Sequence, residues 1–253
     1  KGLLMRSRTH LIAGTMATLE ISLLCGLPIS PLTIPVAMAC SVMSDIDEGN
    51  SNVLNKLISK DSTRNIHSVI LFLFAIISFY MYQKTGLNLY MATIFALVFT
   101  LLASRWLTSN LVRSLVISAI FFLIGASMYL HNFNIGYTLF TLLIGVYPLL
   151  KHRGISHSLL ALAIIFLIFT CIEKGGGPSN LAYPASIAYA SHLVFDMTTK
   201  RGVALFLPFS EKYYRFANLK VGSLLSNLVE KIVILALAIL LLVTLAYRYK
   251  FNF

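Results

Sequence analysis

The sequence predicts an all-α, polytopic membrane protein, and three features of its composition indicate this. Of the 253 residues, 58% are hydrophobic and only 11% are charged, whereas a soluble domain carries about 25% charged residues. The mean hydropathy is +0.82. Several apolar runs approach the roughly 20 residues that a helix needs to cross a bilayer. The strict alternation of polar and apolar residues typical of an outer-membrane barrel is absent from the sequence.

Nine apolar segments are predicted as a transmembrane helical bundle, and turn-forming or charged residues separate them. The first two are shorter or more polar than the others, which makes them candidates for short or re-entrant segments. Because no repeat, linker or low-complexity tail divides the chain, residues 1–253 are expected to form one integral membrane domain. The segments are 9–27, 29–44, 66–83, 88–104, 111–130, 134–150, 156–172, 181–199 and 223–246.

The basic residues divide unequally when the nine segments are threaded through a bilayer. Fifteen of the 20 Lys and Arg residues fall on the side that holds the N-terminus, four fall on the other side, and Lys231 lies within the last segment. Cytoplasmic loops carry an excess of Lys and Arg. The N-terminal side, called side A below, is therefore expected to face the cytoplasm from the inner membrane. The net charge of +11 follows from this topology, so no nucleic-acid partner is expected.

Residues that could bind a metal gather at the side A ends of the segments. Four histidines and three aspartates fall there, in a chain with six histidines and nine acidic residues in all. They are far apart in sequence, yet the topology places them in one plane, which favours a metal site over separate interfacial side chains. They are His10, Asp45, Asp47, His152, His157, His192 and Asp196.

Two of the local spacings suit ligation of one ion or a bridge between two. In SHLVFD, His192 and Asp196 are four residues apart, so they project from one face of a helix. In SDID, Asp45 and Asp47 bracket the end of the second segment, where the backbone can turn both carboxylates inward.

The stretch KHRGISHS, residues 151–158, places two histidines five residues apart. On one continuous helix these histidines would diverge. A turn at Gly154 would bring them together, with Ser156 capping the following helix and His157 in its first turn. This arrangement is typical of a shaped loop at a site.

The ligand set suits two divalent ions better than one. Seven candidate ligands exceed the four of a closed structural zinc site. Mixtures of imidazole and carboxylate suit zinc, and also manganese or iron. The three cysteines lie in apolar segments and have no metal-binding spacing.

Four stretches carry a family resemblance: RTHLIAG near the start, SDID at 44–47, HRGISHS at 152–158 and SHLVFDMTTKRGVALFLPF at 191–209. Together they resemble the motifs of the YdjM-like family of predicted membrane-bound metal-dependent hydrolases. The resemblance implies that the seven residues named above form the metal and catalytic set. The sequence departs from the family at Glu48, where histidine is usual. The motif of intramembrane zinc proteases, H-E-x-x-H, is missing from the sequence.

These observations predict a membrane-embedded metal-dependent hydrolase, a phosphoesterase that acts on a lipid or lipid-linked substrate at the cytoplasmic leaflet. A metal-bound hydroxide would attack the ester, and basic side chains would bind the phosphate. Two alternatives stay open: a membrane transporter with a polar or metal site, and a metal-stabilised scaffold without chemistry. The candidate catalytic residues are Asp47, His152 and Glu48, and the candidates for binding the substrate phosphate are Arg153, Lys200 and Arg201.

Overall fold

A computed structural model describes residues 2–48, 58–86 and 88–251, and the fold within these ranges is helical without strands, as predicted. Three short 3₁₀ turns accompany nine α-helices in the described residues, and each helix overlaps one of the nine predicted segments. The helices are α1 (Gly2–Leu24), α2 (Thr33–Met43), α3 (Lys60–Lys84), α4 (Leu89–Trp106), α5 (Ser109–Leu130), α6 (Ile135–Val146), α7 (Leu159–Lys174), α8 (Ala182–Met197) and α9 (Leu224–Phe251). The 3₁₀ turns are Ser44–Asp47, Tyr147–Leu149 and Ile155–His157.

Four of the described helices, α3, α4, α5 and α9, are long and apolar enough to cross a membrane. The second segment is short, as expected: α2 has 11 residues and reaches only about 16 Å, half the thickness of a bilayer core. By contrast, α1 has 23 residues. It begins well before the apolar segment predicted for it.

Side-chain caps fix where α3 to α7 begin. At each start a polar side chain accepts a hydrogen bond from a backbone N–H two or three residues later. Such a bond satisfies one of the N–H groups that the first helical turn leaves without a partner. The capping residues are Ser59, Asn88, Thr108, Asn134 and Ser158.

Helix α8 lies at the centre of the helices that carry the candidate ligands, because it packs against α1, α2 and α7. The three-way contact of α1, α2 and α8 depends on Gly14. A Cβ at this position would lie 2.6 Å from Cβ of Ser41 on α2 and 2.8 Å from Oγ of Ser191 on α8. Gly14 is one turn beyond His10, so this close approach brings His10 towards α8.

Helix α9 packs against α1 through two hydrogen bonds between the helices. Thr9 Oγ1 donates to Glu230 Oε2 at 2.7 Å, and Thr244 Oγ1 donates to Glu20 Oε1 at 2.7 Å. Glu20 is 2% exposed. Both carboxylates of this contact thus accept a hydrogen bond from the partner helix.

The segment between α8 and α9 folds back over the end of α8. Lys200 N donates to the Leu219 carbonyl at 3.0 Å, and Val203 pairs with Tyr214 in an antiparallel bridge. These bonds hold basic residues of the segment beside the side A end of α8.

Candidate metal centre

The seven predicted ligands lie together at the side A end of the bundle. Their possible ligand atoms form three overlapping groups, and within each group these atoms all lie within 4.8 Å of one another. The groups are His10–Asp45–His192, Asp47–His152–His157 and His157–His192–Asp196. Histidine and carboxylate groups at such spacing could hold a metal ion. That these residues are ligands stays a prediction.

In the third group, three buried side-chain atoms lie close to one another. His157 Nε2 lies 3.3 Å from Asp196 Oδ2, and His192 Nε2 lies 3.7 Å from the same oxygen. None of these three atoms has a hydrogen-bond partner in the described ranges. Buried polar atoms are almost always hydrogen-bonded. Ligand atoms about 2.1 Å from one tetrahedral ion lie about 3.4 Å apart, so the observed spacing fits a bound divalent ion.

The other ring nitrogen of His192 fixes the orientation of this imidazole. His192 Nδ1 donates to the Ser41 carbonyl at 2.8 Å, so in the neutral ring Nε2 is the nitrogen with a lone pair. This is the usual arrangement of a histidine that ligates a metal. Asp45 Oδ1 lies 3.5 Å from His192 Nε2, and the His10 ring stacks on the His192 ring at 4.1 Å. His10 and Asp45 thus surround the same nitrogen.

Asp47 contacts two imidazoles at once. His152 Nδ1 lies 2.7 Å from Asp47 Oδ1, and His157 Nδ1 lies 3.2 Å from Asp47 Oδ2. Ser156 Oγ also donates to Oδ2, as does the Arg153 backbone N–H at 3.2 Å. Burial opposes ionisation of Asp47, but hydrogen bonds from His152 and His157 outweigh it and lower the pKa of Asp47 to about 2. These contacts make Asp47 a positioning residue for both rings.

The turn inside KHRGISHS depends on its backbone. Arg153 has a φ of 62°, in the left-handed region, and the Gly154 N–H donates to the Lys151 carbonyl at 2.8 Å. A Cβ at Gly154 would lie 2.7 Å from that carbonyl oxygen. The predicted turn is present, and it needs glycine because the chain passes so close to itself.

Two details of the predicted loop are wrong. Helix α7 begins at Leu159 and its cap is Ser158, not Ser156. His157 therefore lies in a 3₁₀ turn before the helix and not in its first turn. The reason is that Ser156 Oγ donates to Asp47, so this hydroxyl serves the site and the next serine caps the helix.

Arg153 is 6% exposed and holds Asp196 in place. Its Nη2 donates to Asp196 Oδ1 at 3.0 Å, and its Nη1 donates to Thr199 Oγ1 at 2.8 Å and to the Gly202 carbonyl at 3.0 Å. Because Oδ1 of Asp196 accepts from Arg153, Oδ2 is the oxygen that faces the imidazoles. The substrate-binding role of Arg153 stays a prediction, and its contacts add a role in orienting Asp196.

Two buried tyrosines support the site, and neither is among the residues predicted from the sequence. The Tyr189 hydroxyl donates to the Ser156 carbonyl, and the Tyr147 hydroxyl donates to Tyr189 at 2.8 Å. Tyr189 lies three residues before His192 on α8, so the two side chains share a helix face. This i, i+3 spacing is the signal that could have identified Tyr189.

A cavity of about 400 Å³ opens over the cluster. Cluster residues form part of its lining, and Lys200, Arg201 and Lys220 also line it. Glu48 lies in the same cavity; burial raises its pKa, His152 lowers it, and the charges of Asp45 and Asp47 raise it, with a net rise. Lys220 is not among the substrate-binding residues predicted from the sequence. His67 lies outside the cluster, with its Nε2 2.5 Å from the Leu107 carbonyl.

The chain matches a known protein family. A family model described as YdjM inner membrane protein matches residues 5–252, nearly the whole chain. No curated protein and no solved structure matches the chain.

Proposed function

The chain belongs to the YdjM inner membrane protein family, and from this premise we propose that it is a membrane-embedded metal-dependent hydrolase. Its substrate is a phosphoester of a lipid or of a lipid-linked molecule. One observation carries the proposal: a buried histidine and carboxylate cluster lies at a cavity whose lining also holds four basic side chains, those of Arg153, Lys200, Arg201 and Lys220.

The residues that would hold divalent ions are those whose ligand atoms face one another at the spacing of a shared coordination shell. His157 Nε2, His192 Nε2 and Asp196 Oδ2 form one such set, and His10 and Asp45 extend it past His192. Zinc, manganese and iron all accept this mixture of imidazole and carboxylate. Such ions supply Lewis acidity towards water and towards a phosphoryl oxygen.

Proton transfer falls to the residues that line the cavity beside this set. His152 is held through Nδ1 by Asp47 at 2.7 Å, so its Nε2 is the nitrogen that can accept or donate a proton. A histidine oriented by a carboxylate is a common general acid or base. Glu48 lies in the same cavity and is the second candidate for this role.

Substrate binding falls to Lys200, Arg201 and Lys220. These side chains line the cavity together with His10 and Asp196, so a bound phosphate can contact the basic side chains while its ester bond lies beside the cluster. Hydrogen bonds from charged donors to phosphate are about twice as strong as neutral ones. Because the cavity lies at the end of a membrane bundle, an amphiphile can present its head group there.

The test uses purified protein in detergent, loaded in turn with zinc, manganese or iron. Bound metal is measured by elemental mass spectrometry, and turnover is measured on chromogenic phosphomonoesters and phosphodiesters and on phospholipids in mixed micelles. His192→Ala should lower turnover at least about 100-fold. His131→Ala replaces an exposed histidine at the end of α5 and should leave turnover unchanged.

Other results would reject the hydrolase. Stoichiometric metal with no turnover on either ester class would leave the scaffold alternative. Metal flux into vesicles containing the protein would favour the transporter alternative.

A further inference from the structure

A second cavity, of about 100 Å³, lies between α3 and α5 and shares no residue with the cavity over the metal cluster. Every residue that lines it carries a hydrogen-bond donor on its side chain, and none of these described lining residues is acidic. They are Lys60, Thr63, Arg64, Ser109, Asn110 and Arg113.

The sequence positions these six side chains by one repeated spacing. Lys60, Thr63 and Arg64 lie at i, i+3 and i+4 in the first turns of α3, so they share one helix face. On α5, residues 109 and 110 lie four and three positions before Arg113 and share a face for the same reason. The two polar faces meet at the cavity, where α3 packs against α5.

The charge around this cavity favours an anion. Arg113 is 2% exposed although it lies in an apolar helix, and burying an ionisable side chain in a membrane is costly and tends to mark a functional site. Lys60 and Arg64 reach the same small space, so three positive charges repel one another there. A bound anion would offset that repulsion.

Basic residues that only set the orientation of the protein in the membrane have no need to converge on one cavity. Arg105 belongs to the same side A set of basic residues, yet it is exposed at the end of α4 and lines none of the described cavities. Lys60, Arg64 and Arg113 instead line one cavity together with two hydroxyls and an amide. The difference points to a ligand.

We propose that this second cavity binds a phosphate group. Phosphate oxygens accept hydrogen bonds from ammonium, guanidinium, hydroxyl and amide donors alike. The volume of about 100 Å³ admits a small oxyanion and is well below the roughly 300 Å³ of the smallest drug-sized pockets.

An anionic lipid head group or free phosphate could supply this group. Basic pockets between membrane helices on the cytoplasmic side bind anionic head groups. Exposed apolar side chains such as Ile120 and Ile124 continue along the same face of α5 as Arg113, where acyl chains would lie. The site is independent of the proposed hydrolase activity.

The experiment compares lipid and phosphate binding by the full chain. Native mass spectrometry measures retention of phosphatidylglycerol against phosphatidylcholine, and calorimetry measures binding of inorganic phosphate. Arg113→Gln, and Lys60→Gln combined with Arg64→Gln, should each weaken binding about ten-fold or more, since each removes a charge-assisted contact. Arg105→Gln is the matched control, and melting temperatures report on folding.

The two arms separate the sources of the phosphate group. If the variants lose binding of phosphatidylglycerol alone, the ligand is a lipid head group. If they lose binding of inorganic phosphate, the ligand is free phosphate. The double variant at Lys60 and Arg64 changes exposed positions only, so it tests the site even if Arg113→Gln does not fold. Wild-type binding of both probes by the double variant, or an equal loss in Arg105→Gln, would overturn the proposal.

Discussion

His157 Nε2 and Asp196 Oδ2 lie 3.3 Å apart, both are buried, and neither atom has a hydrogen-bond partner among the described residues. The two residues come from different elements, the turn before α7 and the last turn of α8. Other contacts hold each in place: Asp47 lies against Nδ1 of His157, and Arg153 donates to Oδ1 of Asp196. The protein thus holds two ligand atoms facing each other at a distance that suits a shared metal ion.

Removing either of these side chains should remove metal. We expect His157→Ala and Asp196→Ala each to lower bound metal in the purified protein to a small fraction of the wild-type value, because both take away an atom that the ion would contact. Elemental mass spectrometry measures this. Lys151→Ala, which changes an exposed cation in the same loop, is the control. Full metal occupancy in both alanine variants would refute the metal centre.

Replacing Asp47 should weaken metal binding without abolishing it. An asparagine nitrogen cannot accept from an imidazole N–H, so Asp47→Asn keeps an acceptor for only one of the two rings that the carboxylate positions. Loss of such an outer contact typically costs about 10–100-fold in metal affinity, which competition with a chelating dye can measure. Asp61→Asn, at an exposed carboxylate of α3, should show no effect. Complete loss of metal would instead indicate the direct ligand role that the sequence predicts for Asp47.

Acid should destabilise the metal-free protein through Asp47. The pKa of Asp47 is lowered from 3.8 to about 2, so its contribution is present above pH 3.8 and is lost as the pH falls towards 2. That shift corresponds to about 2 kcal/mol. Unfolding transitions measured in EDTA between pH 5 and pH 2 would show it. If Asp47→Asn lost as much stability over this range as the wild type, the assignment to Asp47 would fail.

Tyr189→Phe should cost stability and loosen the site. The change removes the hydrogen bond to the Ser156 carbonyl and leaves the buried Tyr147 hydroxyl without its acceptor, at a cost of about 1–3 kcal/mol. Metal affinity should fall as well, because Ser156 contacts Asp47. Thermal unfolding and the chelator assay test both effects. Tyr183→Phe is the control, since Tyr183 lies on the same helix and is 57% exposed.

The charge bias predicts that side A faces the cytoplasm. In a variant whose three native cysteines are replaced by alanine, Lys151→Cys should resist a membrane-impermeant thiol reagent added outside intact cells and react after lysis. Lys84→Cys, on the opposite side, should react without lysis. Labelling of position 151 in intact cells would reverse the orientation.

The sequence predicts the helices well because apolar periodicity and turn residues are local signals. Each of the nine predicted segments overlaps one helix of the described residues, and Asn88 and Asn134, the first residues of two predicted segments, become side-chain caps. The candidate ligands could be grouped from the sequence because each end of a membrane-spanning helix lies on one of only two sides of the bilayer. The membrane topology places residues at one end of the bundle, but it does not give the distances between them.

Contacts between elements that are distant in sequence, in contrast, cannot be predicted from a local sequence pattern. The spacing in KHRGISHS indicates a turn but cannot distinguish Ser156 from Ser158 as the cap of α7. That choice depends on Asp47, more than 100 residues earlier, which accepts from Ser156. The same holds for Arg153, which looks like a free cation in sequence and is buried against Asp196 in the fold.

By itself the sequence determined the membrane class, the helices and the set of residues that meet at side A, because hydrophobic periodicity and charge placement act along the chain. Only the tertiary structure decided which nitrogen of His192 is left free, which oxygen of Asp196 faces it, and that Asp47 positions two rings. The physical reason is that a hydrogen bond or a metal contact depends on distances of a few tenths of an ångström. Those distances are set by packing α8 against α1, α2 and α7, where a glycine such as Gly14 allows the close approach.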